Sequence, residues 1–363
     1  MLDQDVLVPS SEELRGTGKD MPGGRVVSPL STWAREAVAD RNLRSRWNDV
    51  VGLSETITEL GSRVASGAFV DEDVNALHDL HATLFALYEL HVARPGSAEA
   101  RNQFDPNLIA LRNVLERSWF DAEYVQFAID SRQRDTSIVV DSIREMWATS
   151  DAGTHSLFDF LETEATLPQL LAFFRSDAAL NTRFFDLIAF ALIGSSNSAR
   201  RELVQNMWDE AGRGDPQKGH VFLFESLLRT TGVTDLPDAR HLELGLHGLI
   251  GHNLFMATCT NREHYFKSLG VMAITELMDP AHYEKLVRGC RRLGLGHAGE
   301  LEYYEEHVTI DVVHGEGWLQ NVIAPAVIED PAAADEILFG AYMRLKTCAA
   351  YYDELQVRLT RYR

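Results

Sequence analysis

Between Tyr304 and Trp318 the chain reads Y-E-E-H-V-T-I-D-V-V-H-G-E-G-W, which sets His307, Asp311 and His314 at H-x-x-x-D-x-x-H spacing. A helix turns about 100° per residue, so positions i, i+4 and i+7 fall within roughly 60° of one another. Two imidazoles and one carboxylate then project from a single stripe, a turn apart. Iron accepts imidazole and carboxylate donors together, so this spacing predicts metal ligation. The competing account is a polar surface stripe. Val308, Ile310, Val312 and Val313 surround the trio, and apolar neighbours of that kind predict that the stripe faces inward.

The rest of the composition narrows the class. The 363 residues are 45% hydrophobic and 24% charged, an ordinary globular balance, and the length fits two domains or one large one. A formal net charge of −20 argues against a nucleic-acid partner, since a phosphate backbone calls for a basic face. No apolar run approaches ~20 residues, so no membrane span is expected. The start, M-L-D-Q-D-V-L-V-P-S, has neither the basic nor the apolar region of a signal peptide. Cys259, Cys290 and Cys348 are odd in number and far apart, which makes neither a disulfide framework nor a thiolate site. A cytoplasmic protein with a small-molecule substrate is expected.

In chain order, residues 1–28 are polar and rich in Gly, Pro and Ser and read as a flexible arm. From Ser28 an amphipathic helix opens, and helical segments follow over Val51–Ala65, Asp71–Ala93 and Asn107–Thr149. His78, His81 and His91 have few acids around them, so packing or solvent exposure is favoured over a metal site. Residues 29–150 form an all-helical association module in this reading. A break at Ser150–Gly153 leads to the second part, 151–363. Its helices are placed around Leu167-Pro168, over 184–194, up to Glu210, from His220, and over Leu242–Thr260, Arg262–Met278, Ala281–Leu293, His297–Ala324 and Ala332–Tyr362. No alternating strands, Gly-rich phosphate loop or Ser nucleophile elbow is present, so nucleotide-dependent and triad hydrolase chemistry is not expected.

Several acids and bases outside the stripe bear on a site. Glu210 and His220 flank the turn A-G-R-G-D-P-Q-K-G and converge if their helices form a hairpin. Alone, Glu210 would be read as a solvated acid at a helix end. Asp186 interrupts the apolar run F-F-D-L-I-A-F-A-L-I-G, where a charge is either exposed at an edge or buried for a purpose. Glu276 lies among apolar residues in M-A-I-T-E-L-M-D-P and is the best further carboxylate, with a solvent-facing helix end as its alternative. His247 and His252, five apart on an apolar helix, are favoured for core packing or for supporting the ligands from behind, over ligation itself. Arg262, Lys267 and Arg288 are carboxylate-anchor candidates whose commoner role is a surface charge. Phe255, Met256 and Phe266 would line an apolar pocket.

Taken together, W-D-E-A-G-R-G-D-P-Q-K-G-H, a Glu in an apolar helix, and E-E-H-V-T-I-D-V-V-H resemble the heme-oxygenase-like diiron oxidases and oxygenases over roughly residues 155–330. The resemblance implies an all-α fold: a bundle of about seven helices, without haem, here preceded by a helical N-terminal module. It puts Glu210, His220, His307, Asp311 and His314 in the family's ligand positions. The family's further carboxylate on the first core helix has no Glu here; the position falls near Phe184, with Asp186 two residues away as the substitute. Glu162 and Glu164 look like the family's structural acids.

The resemblance further implies two ferrous ions, O2 as co-substrate and a peroxo-diferric intermediate. Among the family it is nearest the N-oxygenase branch, because of the long helical region ahead of the core, which in that branch serves dimerisation. A biosynthetic N-oxygenase is therefore expected, acting on a small amine or amino-acid-derived substrate as a homodimer, with an external electron donor. Glu276 would hold the amine and accept its proton. The alternatives are a diiron oxidase that desaturates or cleaves an amino acid or fatty acid, and a metal-free oxidase or binding protein of the same fold.

Overall fold

Among the described residues every regular element is a helix. The computed structural model describes residues 29–48, 50–127, 136–233 and 241–361, so the arm expected over 1–28 lies outside them. The helices group into two compact units, one ending at Gln126 and the other beginning at Phe127.

The first unit contains α1 (Leu30–Ala39), α2 (Leu43–Trp47), α3 (Leu53–Phe69), α4 (Val74–Tyr88), α5 (Ala98–Asn102) and α6 (Pro106–Gln126). Helix α3 packs on α4 and α6 over a core that includes Ile57, Leu80, Leu84, Leu111, Leu115 and Trp119. Side chains satisfy the donors that a helix start leaves unpaired. The Asp79 carboxylate accepts from the backbone N–H groups of Leu30 and Ser31, both at 2.9 Å, and Asp73 caps α4 through the N–H of Asn75. His81 is buried edge-on against Trp119, His91 accepts from Arg112 at 2.9 Å, and His78 is exposed. The three do not gather into a metal-holding group.

The second unit contains α7 (Thr136–Thr149), α8 (Ser156–Thr163), α9 (Leu167–Asn181), α10 (Phe184–Leu192), α11 (Asn197–Glu210), α12 (His220–Thr230), α13 (His241–Thr260), α14 (Tyr265–Arg292), α15 (Glu302–Gly317), α16 (Ala324–Glu329) and α17 (Ala333–Arg361). A short π-helical turn, Trp318–Ile323, joins α15 to α16. Helix α7 packs on α14, α16 and α17. The compact units therefore part at 126/127, ahead of the boundary read near residue 150. The segment Asn107–Thr149, read as helical throughout, divides between α6 and α7.

Helix α14 is the axis of this unit, with α8, α13, α15 and α17 packed around it. Helices α14 and α17 run parallel, since Lys267 meets Gly340, Thr275 meets Arg344 and His282 meets Tyr352 in that order. A Cβ on Gly270 would collide with the backbone of Ile337 and Ala341, and one on Gly340 with the Lys267 carbonyl. Two glycines thus permit the close crossing that brings Thr275 and Arg344 together. Helix α14 continues through Pro280, where the sequence reading breaks it. Proline removes the N–H that would bond the Glu276 carbonyl. Buried Met278, Tyr283, Leu286 and Val287 on either side hold the helix together across that gap. No helix among the described residues is long and apolar enough to cross a membrane.

Candidate metal centre

Helix α11 ends at Glu210 and α12 begins at His220, so the chain must reverse in the intervening residues. Gly212 has φ +74°, and a Cβ there would lie 2.5 Å from the Gly219 nitrogen. Only glycine closes that turn without collision. The reversal sets Glu210 Oε1 3.0 Å from His220 Nδ1, with both residues buried.

Helix α15 supplies the facing residues. His307 Nδ1 donates to the Tyr303 carbonyl at 2.6 Å, which fixes the tautomer and leaves Nε2 with a bare lone pair. Burial, with His220 beside it, lowers the His307 pKa to about 4, so the ring is neutral and ready to ligate. The His220 and His307 ring centres are 4.4 Å apart. One donor atom each from Glu210, His220 and His307 lie within 4.8 Å of one another. Burial would raise the Glu210 carboxyl, but His220, backed by His307 and His314, holds it below its usual range.

Glu276, Asp311 and His314 form a second group on the same 4.8 Å criterion. Gly315 lets α15 approach α14 here, since a Cβ on it would already touch Leu277 at 3.1 Å and the Glu276 carbonyl at 3.4 Å. His314 Nδ1 lies 3.5 Å from Glu276 Oε2 and 3.7 Å from Asp311 Oδ1. Its Nε2 donates to Asp209 Oδ2 at 3.1 Å. Burial works against protonation of His314, yet Glu276 and Asp209 outweigh it and raise the pKa to about 9. Burial and then the charge of Glu276 push the Asp311 carboxyl well above the usual range.

These donors fit metal ions. His220 Nδ1 makes no hydrogen bond although it lies 3.0 Å from a carboxylate oxygen, so the two atoms converge without bonding each other. Burial, with Glu276 crowded beside it, raises the proton affinity of Asp311, and a divalent cation between the two carboxyl groups relieves that repulsion. Mixed imidazole and carboxylate donors suit iron.

The sequence-predicted residues are placed as follows. The stripe His307, Asp311 and His314 is buried, but Val312 and Val313 are exposed, so α15 faces inward by its polar stripe and not by its valines. Glu276 is buried in mid-helix rather than at a solvent-facing end. Asp186 belongs to neither group, which corrects the expectation for it. The buried face of α10 is Leu187, Ile188 and Ala191, and the Asp186 side chain, off that face, is 44% exposed and 3.9 Å from Arg183. Arg262 is exposed, Lys267 pairs with Glu336, and Arg288 pairs with Glu162 at 2.6 Å. Asp209, which accepts from His314, adds a further residue to the site, and its place beside Glu210 in W-D-E is its signal in the sequence.

Beside the two groups is a cavity of ≈ 70 Å³, lined by His307 from the first and by Glu276 and Asp311 from the second. Its apolar wall is Phe158, Phe173, Leu180 and Phe184, not the expected Phe255, Met256 and Phe266. Asp177, His252, Asp279 and Arg344 add polar lining. Burial lowers the His252 pKa to about 3, which keeps that ring neutral.

Residues 171–348 match the family model described as iron-containing redox enzyme. Among curated proteins the chain is similar to the nitrosourea synthase of Streptomyces achromogenes subsp. streptozoticus, at 29% identity over 144 residues. That alignment takes in 38% of this chain and 29% of the relative, so the chain spans well under half of the relative's length. The matched stretch contains Glu210, His220, Glu276, His307, Asp311 and His314, so both donor groups fall within the part of this all-helical chain that is similar to the iron-containing redox enzymes.

Proposed function

We propose that the chain holds two iron ions and uses O2 to oxygenate the nitrogen of a small amine or amino-acid-derived substrate. The observation that carries this reading is one acid-lined cavity walled by residues of both donor groups. Iron bound there would supply O2 activation. One oxygen atom goes to nitrogen, taking R–NH2 to R–NHOH, and the other leaves as water. Two electrons and two protons come from an external reductant.

The chain's own residues prepare the substrate. Phe158, Phe173 and Phe184 narrow the cavity and keep water out. An ammonium has no lone pair to oxygenate, so a base must take its proton. Glu276 faces the cavity from the Asp311–His314 group, and Asp279, three residues on, has a carboxyl that burial pushes well above the usual range. In this reading Glu276 holds metal and Asp279 receives the proton. An acid-lined wall favours an amine over a fatty acid. The similarity to a nitrosourea synthase supports nitrogen as the target. Self-association through the N-terminal unit belongs to the same reading.

The test is product mass under isotopically labelled O2 with candidate amines. Label on nitrogen supports N-oxygenation, whereas an alkene or a shortened carbon chain with unlabelled nitrogen moves the assignment to oxidative desaturation or cleavage.

A further inference from the structure

Tyr304 belongs to α15, three residues before His307, and is fully buried. Its Oη donates to Asp177 Oδ2 at 3.0 Å, and Asn181 Nδ2 donates to the same oxygen at 2.8 Å. Burial pushes the Asp177 carboxyl up to about 6, with Tyr304 and Asn181 pulling the other way. Burial, and then the charge of Asp177, holds the Tyr304 phenol well above its usual range. At neutral pH the phenol keeps its proton and faces an ionised carboxylate more basic than an exposed one.

Two routes couple this pair to the first donor group. His307 Nδ1 donates to the Tyr303 carbonyl at 2.6 Å, and that carbonyl belongs to the peptide unit joining Tyr303 to Tyr304. One hydrogen bond and a few covalent bonds thus connect the imidazole to the Tyr304 side chain. The rings give the second route. Tyr303 is 4.4 Å from His307 and 5.1 Å from Tyr304 between ring centres, and Tyr283 is 5.8 Å and 4.9 Å from the same two. Tyr283 and Tyr303 line the cavity, whereas Tyr304 is not part of its lining. Among the described residues Tyr304 is the one of the three whose hydroxyl donates to a carboxylate. Oxidation of a phenol makes its proton strongly acidic, so the electron leaves easily only where a base is in reach of that proton.

We propose that Tyr304 and Asp177 form a proton-coupled redox pair that takes up the oxidising equivalent generated at the metal centre when no substrate is bound. Without substrate, O2 is reduced to two waters by four electrons and four protons. Two electrons come from the two ferrous ions, one from Tyr304 and one from an external one-electron reductant, and solvent supplies the protons of the waters. The Tyr304 proton moves to Asp177 Oδ2, leaving a neutral tyrosyl radical beside a carboxylic acid. A further electron from the reductant and the return of that proton restore the phenol. The pair rests on the reading that the chain holds iron and uses O2, and it is independent of what the substrate is.

The iron-loaded full chain, reduced and free of substrate, is mixed with O2 and frozen for electron paramagnetic resonance, with O2 uptake followed alongside. A tyrosyl signal should form, and should narrow when the protein is made with ring-deuterated tyrosine. Tyr304→Phe should remove it with iron content and helical circular dichroism unchanged, while Tyr283→Phe and Tyr303→Phe should keep it. Asp177→Asn leaves the hydroxyl a hydrogen-bond partner but no base, and should cut the yield at least about tenfold. The metal-free chain is oxidised separately by photogenerated tris(bipyridyl)ruthenium(III), which needs no iron. The slowly decaying part of the tyrosyl absorbance, shielded from solvent, should disappear in Tyr304→Phe alone. O2 uptake without a tyrosyl signal, or a signal that survives Tyr304→Phe, overturns the pair and leaves the iron reading standing. A slow ruthenium-driven signal unchanged in Tyr304→Phe also overturns it. Absence of O2 uptake with the ruthenium result as expected would keep the redox pair and remove the iron reading.

Discussion

His314 Nε2 donates to Asp209 Oδ2 at 3.1 Å inside the bundle, and Asp209 is itself held by Arg213 Nε at 2.6 Å and Gln205 Nε2 at 3.0 Å. A carboxylate behind an imidazole fixes which nitrogen carries the proton, so Nδ1 is the atom left for Glu276, Asp311 and a metal. Asp209→Ala should weaken one of the two metal sites by about 10- to 100-fold and spare the other. Chelator-competition titration reads both affinities, and Asp209→Asn should restore part of the loss. Equal weakening of both sites would end the orienting role.

Metal stoichiometry separates the two donor groups. The wild-type chain should take up about two irons without oxygen, by its ligand count. His314→Ala should retain about one and lose O2 consumption, with helical circular dichroism unchanged. His220→Ala should lose the other iron. Full iron content in either variant would sink the corresponding group.

Gly212 can be tested through the turn alone. Alanine there meets both a left-handed φ and a backbone collision, a strain on the order of 1–3 kcal/mol. Gly212→Ala should lower the melting temperature and loosen metal at Glu210, His220 and His307 more than at Glu276, Asp311 and His314. An unchanged first site would mean that the turn does not set it.

His282 gives a pH signature away from the metal donors. It is buried and stacked on Phe158 at 3.9 Å between ring centres, and burial lowers its pKa from 6.5 to about 4. Between those values the unfolded chain binds one more proton than the folded one, so this group's contribution to stability falls as pH falls. His282→Phe removes the site. The stability gap between variant and wild type should move in the variant's favour by about 1.4 kcal/mol per pH unit from pH 6.5 downward. Denaturant midpoints at pH 7.0 and 5.5 are the measurement, and parallel curves would refute the assignment.

Asp186→Ala should leave metal content and affinity unchanged, because its carboxylate is half in solvent beside Arg183. Loss of one iron would restore it as a ligand.

The helical class and most of the donor set were legible because their geometry is local. His307, Asp311 and His314 lie on one stripe of one helix, and Glu210 and His220 flank one turn, so spacing alone puts each set on one side; that His307 joins Glu210 and His220 while Asp311 and His314 join Glu276 depends on how the helices pack. Glu276 was legible as an acid in apolar surroundings. Asp186 carried the same signal and proved different, since which face of α10 is buried depends on its neighbours. Arg344 was silent because R-L-K-T-C on a long helix resembles a solvated face until α17 crosses α14. Pro280 read as a helix end because a chain pattern does not contain the packing that carries α14 through it.

The same proline has a mechanical consequence. Glu276 sits four residues before Pro280, so its carbonyl lacks the donor that every regular helical turn provides. Helices bend where that ladder is interrupted. Of the six donors, Glu276 is thus carried on a compliant spring, whereas Asp311 and His314 ride on proline-free α15. When the charge or spacing of bound ions changes, the adjustment should fall on the α14 side, next to Thr275 and Asp279, while the α15 stripe stays as a fixed anvil.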